Sequence, residues 1–355
     1  MSTVPSRRRA PFVVGVLAIT ACTGSPVAPS GPPSADPGPP SPSEASSAEP
    51  SAVPSAAPTI AAGESWISFQ WLADGGDDGI FLVRPDGTGL HQLVADMAGN
   101  QRHPDWAPSG DQLVFIQAPP AGPEELWIVD VTGSNAKKLV TCDQPCNEFN
   151  YPDWSGDGGA IVYGLDSHAS GGPPTTFEVA HYDLATQEVT TLLSRMDGMT
   201  AEQPRVSPDR TSIVFDRGPI EGGTEMAIYV ADIDGWNERR LTEVDGRGAH
   251  PDWAGGSIVF NTYDLGFFQD TTAASNLYVM NDDGTGLHAL TDYGENDTRA
   301  TQPRFTPDGT AIVYTQVDRA TGSRTMAYIA VDGTGQRSLT PEPLNGTHPQ
   351  LRPTP

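Results

Sequence analysis

Residues 103–110 read HPDWAPSG and are followed by the apolar run LVF at residues 113–115. This element decides the fold, because the chain repeats it. Related copies begin at Tyr151, Gln203, His250, Gln302 and His348, at intervals of 46 to 52 residues. A nearly constant interval of that length indicates a chain built from one repeated supersecondary unit.

Each copy continues with a second hairpin. After the first copy, LWIVD at residues 126–130 leads through the turn TGS into KLV at residues 138–140. Short runs rich in β-branched and aromatic residues, separated by turn residues, are typical of hairpins. We therefore predict four antiparallel strands for each unit. Four-stranded units of this length are typical of the blades of a β-propeller.

The two ends of the chain complete each other. The last copy contains only its inner strand, at residues 348–351, whereas the folded region begins near Gly63 with a second strand at residues 66–69. Five whole units and one divided unit predict an all-β, six-bladed β-propeller of four-stranded antiparallel blades. We expect the N- and C-terminal segments to pair in one blade, because pairing removes the exposed sheet edges of an open ring.

The repeated motifs resemble the TolB-like, or PD40, family of WD40-like propeller repeats. The closest matches are SPD at residues 207–209, TPDG at 306–309 and RRLT at 239–242. The resemblance covers nearly all of residues 63–355 and implies the propeller fold. TolB itself has an additional amino-terminal α/β domain, and here a Pro- and Ser-rich segment stands in that place.

The amino terminus is typical of an export signal. Arginines at positions 7–9 precede a short apolar segment at residues 11–21, and the run ITAC at 19–22 resembles a bacterial lipobox. That resemblance implies a signal peptide at residues 1–21 and lipidation of Cys22, which would anchor the protein to a membrane facing the periplasm or cell exterior. The alternative is an ordinary secretory signal with an incidental cysteine. Residues 22–62, called the tether here, are rich in Pro, Ser and Ala and are expected to be disordered.

Composition limits the partners. The chain carries 45 Asp and Glu against 20 Lys and Arg, a formal net charge of -25. Such a chain repels nucleic acid, so no nucleic-acid partner is expected. Partners that are cationic, or that arrive with a divalent cation, fit the overall charge better. We expect a monomer, with no other segment long and apolar enough to span a bilayer.

The first residues of the six inner strands give the strongest indication of a functional site. Ring closure places His250, Gln302, His348 and His103 in one continuous arc at one mouth of the central channel. Neutral imidazoles are common metal ligands, so His103, His250 and His348 are candidate ligands for a divalent metal. Oligogalacturonate lyases, also built on TolB-like propellers, are similar in using a His-rich manganese site with a Gln. The alternative is that these histidines hydrogen-bond to neighbouring loops.

Two further sets of residues are interpreted as structural. The third residues of the inner strands are expected to form an ion-pair belt between blades. They are Asp105, Asp153, Arg205, Asp252, Arg304 and Gln350. Cys142 and Cys146 are close in sequence, which in an exported protein favours a disulfide over an incomplete metal site.

Two functional hypotheses remain. The first is a binding module for a protein or envelope component at the channel mouth, with no cofactor required. Exposed aromatic residues on the connection 262–275, namely Tyr263, Phe267 and Phe268, would contribute to that binding. The second is a metal-dependent lyase or hydrolase acting on an acidic saccharide at the histidine arc. No phosphate-binding loop and no serine-hydrolase motif is present in the sequence.

Overall fold

The computed structural model describes residues 58–73, 75–143, 145–167, 176–195, 198–219, 226–242, 248–262, 274–294 and 298–354. Cys22, most of the tether, and Tyr263, Phe267 and Phe268 lie outside the described residues. Within these ranges the ordered elements are 24 β-strands, arranged as six antiparallel sheets of four strands each.

The strands follow in chain order and are grouped here by blade. Blade 1 holds β1 (Ile67–Trp71), β2 (Gly79–Val83) and β3 (His91–Gln92), and blade 2 holds β4 (Asn100–Trp106), β5 (Gln112–Ala118), β6 (Glu125–Asp130) and β7 (Lys137–Thr141). Blade 3 holds β8 (Cys146–Trp154), β9 (Ala160–Ser167), β10 (Thr176–Asp183) and β11 (Val189–Arg195), and blade 4 holds β12 (Glu202–Val206), β13 (Ser212–Arg217), β14 (Ala227–Asp232) and β15 (Arg239–Arg240). Blade 5 holds β16 (Gly248–Ala254), β17 (Ser257–Thr262), β18 (Leu277–Asn281) and β19 (His288–Ala289), and blade 6 holds β20 (Thr298–Phe305), β21 (Ala311–Asp318), β22 (Arg324–Ala330) and β23 (Arg337–Ser338). The last strand, β24 (Gly346–Leu351), is the inner strand of blade 1.

The ring closes through blade 1, as the divided repeat predicts. Strand order in this sheet is β24-β1-β2-β3, and β24 pairs with β1 in antiparallel register, with Ile67 opposite Leu351 and Ser68 opposite Gln350. The prediction of six four-stranded blades closed by the two termini is therefore confirmed. Strand β1 is therefore paired on both sides, with β24 and with β2, as the second strand of every other blade is.

Arg352 ties this closure to the next blade. Its Nε donates to the carbonyl of Gly110 in blade 2 at 2.6 Å, and its Nη1 donates to the carbonyls of Ala61 and Glu64 at 2.8 and 3.1 Å. The backbone N–H of Arg352 also donates to Trp66 O at 2.8 Å. One buried guanidinium thus joins the carboxyl-terminal strand, the start of the propeller and blade 2.

The core lies between adjacent blades. Trp106 packs in a cluster with Ile80 and Leu82 of blade 1, and Trp154 packs with Val114 and Ile116 of blade 2. Trp253 and Phe305 occupy the equivalent interfaces on the other side of the ring. Large aromatic side chains fill the space between packed sheets, which explains their recurrence at one position of the repeat.

Within the described ranges, no helix is long and apolar enough to cross a membrane.

Candidate functional site at the channel mouth

All six residues at the start of the repeated motif have a left-handed backbone. Their φ angles are +52° for His103, +43° for Tyr151, +55° for Gln203, +52° for His250, +56° for Gln302 and +54° for His348. Each precedes a proline and lies where the register between the inner and second strand shifts. A non-glycine residue in this region costs about 1–2 kcal/mol. Each of the six blades contains one such strained residue, and strained backbone conformations are typical of functional sites.

Side chains of the preceding blade stabilise this conformation. A register shift leaves the backbone N–H of the left-handed residue outside the strand ladder. In three blades a polar side chain from the equivalent position of the neighbouring second strand accepts a hydrogen bond from that N–H. The pairs are His103 with Gln70 Oε1 (3.3 Å), His250 with Asp216 Oδ2 (3.1 Å) and Gln302 with Asn261 Oδ1 (3.1 Å). Neighbouring blades therefore hold each other's inner turns in place.

A cavity of about 360 Å³ opens at this mouth of the channel. All four residues of the predicted arc, His103, His250, Gln302 and His348, line it. Gln203 does not line it; Gln203 lines a narrower space of about 20 Å³, bounded by the prolines that follow the motif residues. Ligand pockets of proteins usually measure roughly 300–1,000 Å³, so the cavity at the channel mouth is large enough for a small ligand.

Three of these side chains form an aromatic cluster with Tyr151, which the sequence analysis did not select. The His103 and Tyr151 rings stack with centroids 4.0 Å apart and an interplanar angle of 15°. The His348 ring lies 4.8 Å from that of His103, and the His250 ring lies 5.8 Å from that of Tyr151. The rings of three different blades and the terminal strand thus converge at the channel mouth.

Burial keeps the three histidines neutral. Desolvation lowers the pKa of His103 and His348 well below the usual value, and the neighbouring imidazoles lower them further. Desolvation likewise lowers the pKa of His250 to about 3, although a hydrogen bond with the Asn261 side chain opposes that shift. Near neutral pH the arc therefore presents uncharged imidazoles, each of which offers one donor and one acceptor nitrogen.

The side chains of His103 and Gln302 accept hydrogen bonds, whereas the His348 ring has none among the described residues. The backbone N–H of Tyr151 lies 3.5 Å from Nδ1 of His103, and Gln302 Oε1 accepts from Thr315 Oγ1 at 3.3 Å and from Thr347 Oγ1. Both ring nitrogens of His348 are buried without a hydrogen-bond partner among the described residues. Since unsatisfied buried polar atoms are rare, the two ring nitrogens of His348 give this site unused hydrogen-bonding capacity.

The described residues do not hold a metal-binding cluster. Across the ranges that the structure describes, no group of three or more His, Cys, Asp and Glu side chains is arranged to bind a metal ion. His103, His250 and His348 line one cavity, but their donor atoms do not converge in that way.

A network of buried charges lies across the channel below the histidines. Arg304 of blade 6 contacts Asp252 Oδ1 of blade 5 at 2.9 Å, Asp153 Oδ1 of blade 3 at 3.7 Å and Asp105 of blade 2. Arg205 Nε lies 3.8 Å from both Asp153 and Asp252. The five charged third-position residues thus form ion pairs, which cross the axis of the ring as well as linking successive blades. The sixth, Gln350, instead donates from Nε2 to the carbonyl of Pro104 in blade 2 at 2.9 Å. The space beside them, about 20 Å³, has room for about one water molecule.

Three carboxyl groups face two guanidinium groups in this network. Burial raises the pKa of Asp153 to about 7, and the nearby Asp105 carboxylate raises it further. Burial also raises the pKa of Asp105, opposed by Arg304 and Arg205. Protonation of Asp153 leaves two carboxylates to face the two guanidinium groups, so that the buried charges balance. Each carboxylate also accepts a backbone N–H from the next blade, as in Asp105 with Trp154 N at 2.9 Å.

Two arginines at the cavity were also missed. Arg299 of β20 and Arg324 of β22 both line it, and neither belongs to the repeated motif. Their only signal in the sequence is a charged residue within a strand, which is too weak to select them.

Cys142 and Cys146 are joined by a disulfide, with sulfur atoms 1.97 Å apart. The bond links the residue after β7 of blade 2 to the first residue of β8 in blade 3. Neither cysteine lines the cavity.

Fold and site together define a six-bladed β-propeller with a ligand-sized cavity at one mouth of its channel. In comparison with known families, residues 51–256 match the TolB beta propeller domain, PD40. The match extends over more than half of the chain, so the chain belongs to the TolB β-propeller family. No curated protein matches it.

Solved structures with the same fold include two TolB proteins. The chain superimposes on TolB from Acinetobacter baumannii with a TM-score of 0.61 and 18% identity, covering 81% of this chain and 66% of that one. For putative TolB from Agrobacterium tumefaciens the values are 0.54, 19%, 80% and 90%. Hydrazine synthase from Kuenenia stuttgartiensis gives 0.62 and 13%, covering 83% of this chain and 48% of that one. Identities this low show a shared fold only.

Proposed function

We propose that the protein is a cell-envelope lipoprotein whose propeller binds a protein or another envelope ligand at the channel mouth. The observation that carries this proposal is the 360 Å³ cavity lined by His103, His250, Gln302 and His348. Membership of the TolB propeller family supports a protein-binding role in the envelope. The export signal and the lipobox-like cysteine support anchoring through Cys22, with the tether between anchor and propeller.

The cavity suits binding for two physical reasons. Strained left-handed residues line it, and their conformation is fixed by hydrogen bonds from the neighbouring blades, so the site is formed before a ligand arrives. A preformed site avoids the entropy cost of ordering its side chains on binding. In addition, His348 keeps two buried nitrogens available for hydrogen bonds.

Site-specific photocrosslinking in cells tests the proposal. A benzoylphenylalanine residue at Leu72, which lines the cavity, is expected to form a discrete adduct with the natural ligand. The matched control is the same residue at Leu287, which is 49% exposed in the hairpin between β18 and β19. Adducts at Leu287 with none at Leu72, or no adduct at either position, would contradict a binding site at the mouth.

A metal-dependent lyase or hydrolase acting on an acidic saccharide is the second candidate. The unsatisfied nitrogens of His348 favour it, whereas the arrangement of donors among the described residues does not. Metal analysis of the purified chain, followed by zinc titration of the wild type and of His348→Ala, separates the two. Binding of one zinc ion per chain, abolished by His348→Ala, would favour the enzyme. Absence of stoichiometric zinc binding would favour the binding module.

A further inference from the structure

Trp236 is the most exposed large apolar side chain among the described residues, with 73% of its surface accessible to solvent. It lies in the turn between β14 and β15 of blade 4, at residues 233–238. Tryptophan is enriched at protein interfaces, because its ring offers a large apolar area with few rotatable bonds. An exposed Trp on a surface turn therefore indicates a contact surface.

A threonine occupies the equivalent position of this turn in three other blades. There the backbone N–H and Oγ1 both donate to the aspartate two residues earlier, as in Thr285 with Asp283 Oδ1 at 2.8 and 2.6 Å. In blade 4 the backbone bond remains, from Trp236 N to Asp234 Oδ1 at 3.1 Å, whereas the Trp side chain carries no hydroxyl. The other two threonines are Thr88 and Thr334. Trp236 thus replaces a side chain that completes the turn, and its exposed ring adds little to the stability of the fold.

The turn that carries Trp236 is fixed in position. Gly235 and Asn237 on either side of it have positive φ angles, +82° and +53°. A Cβ at Gly235 would lie closer than 3.0 Å to the carbonyl oxygen of Leu192 in blade 3, so the turn packs directly on the outer strand of that blade. Asn237 Nδ2 also donates to Asp232 Oδ2 at 2.6 Å. A partner that binds to a rigid turn loses less free energy to ordering it.

An acidic cavity of about 300 Å³ lies beside this turn, between blades 4 and 5. Asn237, the residue after Trp236, lines it. The charged groups of the lining are four aspartates and one arginine, namely Asp209, Asp232, Asp282, Asp283 and Arg239. Four carboxylates against one guanidinium leave an excess of three negative charges.

The arginine is bound to backbone rather than to these carboxylates. Arg239 Nη2 donates to the carbonyl of Asp282 at 3.1 Å, and its Nη1 donates to the carbonyl of Asp283 at 3.3 Å. Within the described ranges, none of the four carboxyl groups forms a salt bridge with a Lys, Arg or His side chain. The hydrogen bond from the Thr285 hydroxyl lowers the pKa of Asp283, so that this carboxyl group is ionised near neutral pH. The cavity therefore attracts cations.

This surface lies on the face of the ring opposite the channel mouth. In blade 5, β17 ends at Thr262, which lines the mouth cavity, and the antiparallel strand β18 runs back from that end. The turn at residues 282–287 is therefore at the far end of the blade, and the Trp236 turn has the equivalent place in blade 4. Both turns lie wholly within described ranges, 226–242 and 274–294.

We infer that Trp236 and the acidic cavity beside it form a second docking surface, which binds a basic segment of a partner protein. A Lys or Arg side chain of that segment enters the cavity among the four carboxylates, and a neighbouring apolar or guanidinium group packs on the indole ring. Cations are attracted to the face of an indole, and opposite charges accelerate the encounter of two proteins. An anionic membrane surface has the same sign of charge as the aspartates and is repelled.

Calorimetric titration of the full chain with a synthetic peptide tests the inference. The probe is acetyl-Ala-Arg-Phe-Arg-Ala-amide, and the control peptide has glutamine in place of both arginines. We expect the arginine peptide to bind about tenfold more tightly than the glutamine peptide at low ionic strength. Most of that difference should disappear in about 1 M salt, because salt screens exposed charges.

Three variants localise the effect. Trp236→Thr restores the threonine of the equivalent turns, so it should fold with an unchanged or higher Tm and bind the arginine peptide about tenfold more weakly. Asp282→Asn removes one carboxylate of the cavity and should weaken binding about threefold. Asp96→Asn is the matched control, because it removes the same charge at an exposed position between β3 and β4, and it should bind like the wild type.

Several results would overturn the inference. They are equal binding of the arginine and glutamine peptides, binding unchanged by Trp236→Thr, and no binding up to about 10 mM peptide. Two other occupants are tested with the same variant. If the wild type sediments with phosphatidylcholine vesicles, or forms a dimer, and Trp236→Thr does not, the surface belongs to lipid or to a second copy of the chain, and the inference is wrong.

The second surface and the mouth can be tested independently. Trp236→Thr should leave the photocrosslink at Leu72 unchanged, because the two sites lie at opposite ends of the blades. Leu287 is on the turn next to the acidic cavity, so a partner at the second surface is expected to give an adduct there that differs in mass from the adduct at Leu72. Loss of the Leu72 adduct in Trp236→Thr would show that the two surfaces are not separate and would overturn the inference.

Discussion

Gly110 and Gly309 occupy the same turn of the repeat but have different surroundings, which makes a sharp test of ring closure. Both have positive φ, +71° and +68°, and both backbone N–H groups donate to the residue three positions earlier at 2.8 Å. A Cβ at Gly110 would lie closer than 3.0 Å to the carbonyl oxygen of Pro353, whereas a Cβ at Gly309 would meet nothing nearer than Ala254 at 3.8 Å. Alanine at either position pays the left-handed backbone penalty, but only at Gly110 does it displace the carboxyl-terminal segment.

The expected magnitudes follow from these contacts. Gly309→Ala costs about 1–2 kcal/mol of unfolding free energy for the backbone alone. Gly110→Ala adds displacement of Pro353 and loss of the Arg352 hydrogen bond to the Gly110 carbonyl, worth about 1.5–3 kcal/mol for a charged donor. For a domain of roughly 300 residues, these values correspond to decreases in Tm of about 2–3 °C and about 4–8 °C.

Differential scanning calorimetry of the two variants and the wild type gives the measurement. Equal decreases in Tm for Gly110→Ala and Gly309→Ala would refute the reasoning, because the contact with the carboxyl-terminal segment would then contribute nothing. Arg352→Ala is the second check, since it removes this hydrogen bond, together with those to Ala61 and Glu64, without altering the turn, and it should also lower Tm.

Three further predictions concern other parts of the chain. The raised pKa of Asp153 means that the folded state binds its proton more tightly than the unfolded state, so this group lowers stability as pH rises from about 4 to about 7. Asp153→Asn should therefore make the fall in unfolding free energy between pH 5 and pH 8 smaller, by an amount on the order of a few kcal/mol. Urea unfolding at the two pH values measures this, and an unchanged pH dependence would contradict the prediction. Replacing both Cys142 and Cys146 by serine should cost about 2 kcal/mol, because the disulfide closes a loop of only four residues; a Tm unchanged by the double substitution argues against this. Cys22→Ser should release the protein from the membrane fraction or leave an uncleaved precursor, as seen by fractionation and immunoblotting, and normal processing with full membrane retention is the opposing result.

The repeat made most of the fold predictable. HPDW and its five relatives recur at a nearly constant spacing, and the half units at the two ends require each other, so blade number and ring closure follow from residues 63–351. The same equivalence explains why His103, His250, Gln302 and His348 line one cavity. Symmetry places equivalent residues at equivalent depths whatever their individual chemistry.

The chemistry of the site was less predictable, because it depends on departures from the repeat. A residue before proline normally adopts an extended backbone, so nothing in the sequence points to the left-handed conformation of His348 or Gln302. That conformation depends on hydrogen bonds from the neighbouring blade. The contact of Arg304 with Asp105, 199 residues apart, depends on the width of the channel. Arg299 and Arg324 come together through strand register across blade 6, which composition does not reveal.

The divided blade also fixes the order in which the chain can complete its fold. Blade 1 cannot gain its inner strand until Gly346–Leu351 has emerged, and the contact of Ile67 with Leu351 has nearly the largest sequence separation that the propeller contains. Contacts of such long range form slowly, because a long loop must close first. One edge of the first strand, β1, therefore stays unpaired while the other five blades are synthesised. The ring is therefore sealed only when β24 pairs with β1.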